Sequence, residues 1–463
     1  MTGGLWSASH RALTVGLVLT ITFIASEALA VVTIMPVVAR DLGGLKLYGW
    51  VFSAFMLGNV IGIVAAGRQA DRFGPARPFL AGLALFGSGL AIAGLAPSML
   101  VLVAGRALQG IGGGAVPAIA YVSIGRSLPE QLQARMMAVL STAWVVPGLV
   151  GPAISAAVAS LIGWRWVFLG LLPVVAVTGS IALPALFRLG KQPIAAGGEP
   201  AAGAVHRPSD GLTAAAGAGL MLAGVSLVAG ARDVVAGVVL LLGGMAALGV
   251  ALRRLLPAGT FSARPGLPTV VLTRGLLTFA FFGADAYVTL TITTVRHHSP
   301  ALAGVAVTGS TLAWTAGAWI QSRLNARWEA RRLVGCGVVI ILTGIAAMAL
   351  VLSPAVPVGV GIAAWTVAGL GIGLAYAPTT LLMLREAPQG REGWASASLS
   401  LADVLGTAIG IGLGGAAVTG ATAHGWPLAD GVGIAFALAG AGVLGLAFAS
   451  RRLPLTHAAA EAH

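Results

Sequence analysis

The chain has 463 residues, of which 57% are hydrophobic and only 9% charged, and its formal net charge is +13 at pH 7. About a quarter of the residues in a typical soluble domain are charged, so this composition excludes an ordinary soluble protein. A basic soluble protein would point to nucleic acid, but here the basic residues fall in short loops between apolar runs, which indicates membrane topology instead.

Uncharged runs of about 18 residues or more recur along the chain and predict membrane-spanning α-helices. We predict fourteen, spans 1 to 14, at 12–39, 50–67, 78–96, 99–122, 136–162, 166–187, 212–231, 234–252, 268–294, 301–321, 333–352, 356–381, 393–421 and 428–450. Span 1 begins like a secretion signal, but its apolar run continues to about Ala39, which is too long for a cleaved signal. We therefore expect span 1 to be retained.

The distribution of Lys and Arg predicts the orientation of these spans. With a cytoplasmic N-terminus, twenty of the 27 Lys and Arg residues lie in inside loops and tails and five in outside loops, while Arg106 and Arg274 lie within spans. This excess follows the positive-inside rule and places both termini in the cytoplasm. Residues 189–211 and 253–267 are then cytoplasmic linkers, and residues 453–463 form a cytoplasmic tail.

The chain also repeats itself. Three groups of residues recur in the same order after a nearly constant number of residues. Phe23, Glu27 and Ala28 recur 258 residues later as Phe281, Asp285 and Ala286. Arg68, Arg72 and Arg77 recur 255 residues later as Arg323, Arg327 and Arg332, and Gly110, Gly112 and Gly114 recur 259 residues later as Gly369, Gly371 and Gly373. We infer two homologous six-helix bundles of the same topology, at 1–188 and 268–452. Residues 212–252 are then an inserted transmembrane hairpin, and the glycines indicate close helix packing.

Three short motifs carry a resemblance to a known family. The first is G-x-x-x-D-R-x-G-x-x-R between spans 2 and 3, formed by Gly67, Asp71, Arg72, Gly74 and Arg77. The second is R-x-x-Q-G in span 4, and the third is a Gly-Pro pair in span 5; they consist of Arg106, Gln109, Gly110, Gly151 and Pro152. With these motifs the chain resembles the major facilitator superfamily and, within it, the fourteen-helix drug:proton antiporters.

This resemblance implies an all-α fold of two six-helix bundles plus the inserted hairpin. It implies proton-driven export of hydrophobic or cationic small molecules across the cytoplasmic (inner) membrane of a bacterium. The protein is expected to be a monomer and not an enzyme, with membrane lipids and a small-molecule substrate as partners, no nucleic acid, and no cofactor besides the coupling proton. A lipid or glycolipid exporter of the same fold is the alternative, and a receptor or scaffold that no longer transports is a third hypothesis.

Ionisable side chains inside the predicted spans are candidates for proton coupling, because a charge in lipid is costly to keep without a function. Glu27 in span 1 and Asp285 in span 9 lie at matching depths, and Asp403 lies near the middle of span 13. Arg106 in span 4 lies at a depth similar to that of Glu27 and is its predicted partner. Burial favours the neutral form of a carboxyl group, which brings its titration toward physiological pH.

The charged motif after span 2 predicts a gate. At the cytoplasmic mouth, Asp71 could contact a helix N-terminus and an arginine from the other half, and this contact would stabilise one state of a rocking transporter. The second copy of the motif has Ala326 at the equivalent position, so the predicted gate is asymmetric.

Aromatic residues on the spans that line the central cavity of the superfamily are candidates for substrate binding by stacking or cation–π contact. They are Trp144, Tyr287, Trp314, Trp365 and Tyr376. No G-x-x-x-x-G-K-[ST] sequence occurs, so we do not expect ATP to drive the chain directly. No metal site is expected either, because the pair His297-His298 lacks a convergent third ligand.

Overall fold

The computed structural model describes residues 4–7, 10–42, 48–189, 208–230, 233–298 and 300–455, and every regular element in these ranges is a helix. We number the helices in chain order: α1 (Arg11–Asp41), α2 (Tyr48–Phe73), α3 (Ala76–Gly94), α4 (Met99–Ser127), α5 (Glu130–Thr142), α6 (Val145–Leu161), α7 (Arg165–Leu169), α8 (Leu172–Arg188), α9 (Pro208–Ala229), α10 (Val234–Leu255), α11 (Leu267–Leu290), α12 (Pro300–Leu324), α13 (Ala330–Leu350), α14 (Val358–Glu386), α15 (Glu392–Ala423) and α16 (Leu428–Ser450). A π-helical turn, Thr291–Val295, extends α11.

Among the described residues, twelve helical segments are long and apolar enough to cross a membrane. They match twelve of the fourteen predicted spans, whereas α2 and α12, which contain spans 2 and 10, are not among them. The all-helical class is confirmed, and the count of fourteen spans is not.

Spans 5 and 6 are each divided into two helices, contrary to the prediction of one continuous helix. The first break lies between α5 and α6, and the second between α7 and α8. A proline has no N–H group, and its ring clashes with the carbonyl four residues earlier in a continuous helix. Pro147 lies four residues after Ala143, which follows the end of α5, and Pro173 lies four residues after Leu169, which ends α7. The proline positions therefore account for both breaks.

Glycines allow α4 to approach α2 closely. A Cβ atom on Gly110 would lie 2.1 Å from the carbonyl oxygen of Phe55, and one on Gly114 would lie 2.1 Å from that of Asn59. Only a residue without a side chain fits at such distances.

The second copy of these glycines packs in the same way. A Cβ atom on Gly369 in α14 would lie 2.1 Å from the carbonyl oxygen of Ser310 in α12, and one on Gly373 would lie 2.2 Å from that of Trp314. The partner residues differ by 310 − 55 = 255 and 314 − 59 = 255, the spacing that the sequence shows between spans 2 and 10. The internal repeat is therefore also a repeat of helix packing.

The described residues group into two compact units. Unit 1 consists of the described residues within Met1–Ala215 and Ala387–Ser400, and unit 2 of those within Ala216–Glu386 and Leu401–His463. The first turns of α15 thus belong to unit 1 although they lie in the second half of the sequence. Most of the linker predicted at 189–211 and of the tail at 453–463 lies outside the described residues, but α9 already begins at Pro208.

Candidate functional site

A buried ion pair joins α1 and α4 in unit 1. Glu27 is 0% exposed and Arg106 is 3% exposed. The Nη1 atom of Arg106 donates a hydrogen bond to Oε1 of Glu27. The structure therefore brings together the two residues that the sequence analysis predicts as partners, and the guanidinium balances the carboxylate charge inside the helix bundle.

Further contacts hold Arg106 in place. Its Nη1 also donates to Oε1 of Gln109 at 2.7 Å, and its Nε donates to the carbonyl oxygen of Val51 at 3.4 Å. Its guanidinium carbon lies 4.3 Å from the centroid of the Phe55 ring. Within the described residues, Oε2 of Glu27 and Nε2 of Gln109 have no hydrogen-bond partner. One acceptor and one donor of this cluster are therefore available for a further polar group.

Asp285 in unit 2 has a different partner. The indole Nε1 of Trp365 donates to Oδ1 of Asp285 at 2.8 Å. Trp365 is 0% exposed and stacks on Phe281, with ring centroids 5.2 Å apart and an interplanar angle of 18°. Among the described residues, no Lys, Arg or His side chain forms an ion pair with Asp285. Asp285 is partly buried.

Aromatic rings extend from Trp365 along unit 2. Trp314 packs edge-to-face on Phe281 at 5.8 Å between centroids and lies 5.8 Å from Phe282 and 5.3 Å from Tyr376. Phe282, Trp314 and Tyr376 are partly exposed. Three of the five predicted cavity residues, Trp314, Trp365 and Tyr376, are therefore parts of one aromatic cluster.

A second ion pair lies at the end of this cluster. Asp403 in α15 accepts a hydrogen bond from the hydroxyl of Tyr376 at 2.5 Å, and Nη1 of Arg274 in α11 lies 3.5 Å from the same Oδ2 atom. Arg274 is 0% exposed and also donates to the hydroxyls of Thr379 and Thr380, at 2.8 and 2.6 Å. The sequence analysis placed Arg274 within a span but gave it no role. Its position in an apolar span was the available indication.

Asp71 contacts the N-terminus of α15 within unit 1. Its two carboxylate oxygens accept hydrogen bonds from the backbone N–H groups of Gly393 at 2.6 Å and Trp394 at 2.8 Å. Its arginine neighbour is Arg126, with Nη2 3.9 Å from Oδ1 of Asp71 and 3.0 Å from Oε2 of Glu392. The prediction of an arginine from the other half is wrong. Because α4 runs to Ser127, beyond the predicted end of span 4, it carries Arg126 to this contact.

Burial raises the pKa of Asp71 to about 6, although the N–H groups of Gly393 and Trp394 and the charge of Arg126 act in the opposite direction. Nearby, Gly67 and Gly393 allow α2 and α15 to approach, since a Cβ atom on Gly393 would lie 2.3 Å from the carbonyl oxygen of Gly67. The motif aspartate and its first glycine therefore belong to one contact.

The other motif residues have local roles. Gly74 follows the end of α2 with a φ of +79°, which favours glycine. The guanidinium carbons of Arg72 and Arg77 lie 5.1 and 5.6 Å from the centroid of the Phe73 ring. These contacts shape the turn between α2 and α3.

The remaining predicted residues lie apart from these clusters. Trp144 is 41% exposed at the junction of α5 and α6, and the hydroxyl of Tyr287 donates to the carbonyl oxygen of Ile411 at 2.5 Å. Gly151 is buried, and a Cβ atom there would lie 4.0 Å from Cβ of Leu29. The side chain of Pro152 lies outside the described part of the chain.

Comparison with known proteins identifies the family. Residues 15–284 match the family model described as Major Facilitator Superfamily. A protein of Mycobacterium tuberculosis named "Probable multidrug-efflux transporter" is 30% identical over 449 residues, which cover 93% of each chain. Multidrug resistance protein 3 of Bacillus subtilis is 34% identical over 161 residues, 35% of this chain and 31% of that protein.

Solved structures agree on the fold. The human organic anion transporter MFSD10 superposes with a TM-score of 0.72 at 14% identity, covering 96% of this chain and 100% of that one. The proton:xylose symporter XylE superposes with a TM-score of 0.65 at 13% identity, covering 94% of each chain. With the family model matching more than half of its residues, the chain belongs to the Major Facilitator Superfamily, a family of multi-pass membrane transporters.

Proposed function

We propose that this protein is a proton-coupled antiporter that exports hydrophobic or cationic small molecules by alternating access. It acts in the cytoplasmic membrane of a bacterium, with both termini in the cytoplasm and the proton as its only coupling ion. The names of the mycobacterial and Bacillus relatives support multidrug efflux. The excess of Lys and Arg in the predicted inside loops supports the orientation.

The observation that carries the proposal is the buried cluster of Glu27, Arg106 and Gln109. Glu27 is the only acidic residue in α1 before Asp41, and it is fully buried against a single guanidinium. A proton on Glu27 would leave the positive charge of Arg106 uncompensated, so protonation changes the charge balance of the cluster. Gln109, as a neutral acceptor for Arg106, can hold the guanidinium in both states. These are the requirements of a site that couples a proton to conformational change.

The contact between Asp71 and the start of α15 supports the gating part of the proposal. Two backbone N–H groups at the start of α15 donate to Asp71 on α2, so the contact has to break whenever α2 and the start of α15 separate. Such a contact selects one of two states of a transporter, as alternating access requires.

The proposal is tested with Glu27→Gln in everted membrane vesicles carrying an imposed pH gradient and a panel of dyes. We expect uphill transport to be lost, because an amide cannot titrate, while the variant still folds because an amide is similar in shape to the carboxyl group. Counterflow exchange without a gradient serves as the measure of folded, binding-competent protein. It should persist.

Glu27→Asp is the matched control, since it keeps a titratable group and shortens the side chain by one methylene. We expect it to retain coupled transport at a reduced rate. Uphill accumulation by Glu27→Gln at the wild-type rate would show that the proton site lies elsewhere.

A further inference from the structure

The internal repeat relates the hydrogen-bond donors of Glu27 and Asp285. The two carboxylates are 285 − 27 = 258 residues apart, and their donors Arg106 and Trp365 are 365 − 106 = 259 apart. The latter is the spacing between Gly110 and Gly369, which make equivalent packing contacts in the two copies. Equivalent positions therefore supply the donor in both copies, a guanidinium in one and a neutral indole in the other.

The replacement of a guanidinium by an indole leaves the carboxylate of Asp285 without a balancing positive charge. Glu27 is paired with Arg106, and Asp403 is paired with Arg274. Asp285 has only the Trp365 N–H group, and among the described residues no cation pairs with it. A carboxylate in a bundle interior normally acquires a positive partner, since its desolvation is otherwise uncompensated. A positive partner from outside the chain would supply what Asp285 lacks.

The rings around Asp285 suit a cation of a particular kind. Phe281 and Phe282 precede Asp285 by four and three residues on α11, so the three side chains share one face of the helix. Trp314 contacts both phenylalanines and is partly exposed. Aromatic faces attract organic cations through the ring quadrupole and accommodate their apolar substituents, whereas a small hydrated metal ion prefers several oxygen ligands.

We propose that Asp285, Phe282 and Trp314 bind the charged group of an organic monocation, with Trp365 as the residue that positions the carboxylate. The substrate itself then supplies the charge that Arg106 supplies in the first copy. This inference rests on the proposed export function and narrows its substrate class. It also changes the role predicted for Asp285 from proton coupling to substrate recognition.

The test uses two probes of the same shape. One is an arylalkyl trimethylammonium compound, and the other is its neutral tert-butyl analogue, in which carbon replaces the nitrogen. Binding is measured by calorimetry on the full-length protein in nanodiscs at constant pH, without a gradient. The wild type should bind the cation about tenfold or more tightly than the neutral analogue. Equal affinities in the wild type would overturn the proposal.

Variants locate the effect. Asp285→Asn keeps an acceptor for the Trp365 N–H group and should remove the preference for the cation, while the Kd of the neutral analogue stays unchanged. Asp285→Glu should retain the preference. Trp314→Leu should weaken cation binding about 3- to 30-fold, with a smaller effect for Trp314→Phe, which keeps an aromatic face.

Two results would contradict this assignment. Equal loss of both probes in Asp285→Asn would mean that Asp285 only maintains the fold of the cluster. Unchanged binding of both probes, together with loss of uphill transport of the neutral analogue, would make Asp285 a proton site. Neither result depends on Glu27→Gln, whose uphill transport at the wild-type rate would instead contradict the assignment of Glu27 as the proton site. The failure of either proposal is therefore distinguishable from that of the other.

Discussion

Glu27 in unit 1 and Asp285 in unit 2 occupy equivalent positions of the repeat but have partners of different charge. Each accepts a hydrogen bond from the helix that carries the repeated glycines, α4 in one case and α14 in the other. Arg106 neutralises Glu27, whereas Trp365 orients Asp285 without neutralising it. A repeat can therefore preserve the geometry of a contact while one substitution changes its chemistry.

Removing the hydrogen-bond donors Arg106 and Trp365 should give the largest difference in stability between the two copies. Arg106→Met leaves a fully buried carboxylate without its cation, which costs about 3–5 kcal/mol in the absence of proton uptake. Trp365→Phe removes one hydrogen bond from a neutral donor, which costs about 1–3 kcal/mol. Thermal unfolding in detergent compares the two variants, and we expect Arg106→Met also to lose uphill transport.

If Trp365→Phe destabilised the protein as much as Arg106→Met, the charge of the donor would not distinguish the two sites.

The guanidinium donor of unit 1 can be introduced into unit 2. In Trp365→Arg the guanidinium neutralises Asp285, so affinity for the trimethylammonium probe should fall about tenfold or more. The neutral analogue provides the control, because its binding does not depend on the charge of Asp285. A cation affinity that matches the wild type would show that Asp285 does not contact the charged group.

Asp71 and Ala326 form a second pair of equivalent positions. Asp71→Asn leaves one acceptor oxygen for two N–H donors, so the contact with α15 should weaken by about 1–3 kcal/mol. Ala326 is exposed in the turn after α12, and Ala326→Ser should change stability by less than about 0.5 kcal/mol. Hydrogen exchange at residues 387–400 measures the contact. Equal effects of the two substitutions would contradict a role for Asp71 in gating.

The Asp71 contact should also respond to pH, in a direction that follows from its pKa. Burial raises this pKa from 3.8 to about 6, so the conformation with Asp71 buried binds a proton more tightly than one with Asp71 in water. Lowering the pH from 7 to 5 therefore favours the contact about tenfold, with Arg126 and Glu392 as its charged neighbours.

The measurement is the protection of residues 387–400 from hydrogen exchange, corrected for the intrinsic effect of pH on exchange. Asp71→Asn cannot titrate and should show no such change. A contact that weakens as the pH falls would show that the charged form of Asp71 is the one stabilised there.

The sequence alone determined the membrane class, twelve of the fourteen predicted spans, and the repeat. Because a backbone in lipid has to satisfy its hydrogen bonds within each segment, apolar length is sufficient to predict a spanning helix. The close approach at Gly110 and Gly369 was also predictable, since small residues at regular spacing indicate helix packing. The breaks in spans 5 and 6 also have local causes, the prolines Pro147 and Pro173, but the hydrophobic pattern alone did not reveal these breaks.

Apart from the predicted pair of Glu27 and Arg106, only the tertiary structure decided which charges are paired. Arg274 and Asp403 are separated by 403 − 274 = 129 residues, and Asp71 contacts N–H groups more than 300 residues later. Hydropathy places a polar residue in a span but does not determine which helix its side chain faces. The direction in which a side chain points depends on the rotation and packing of its helix. This packing places Glu27 beside a guanidinium and Asp285 beside an indole.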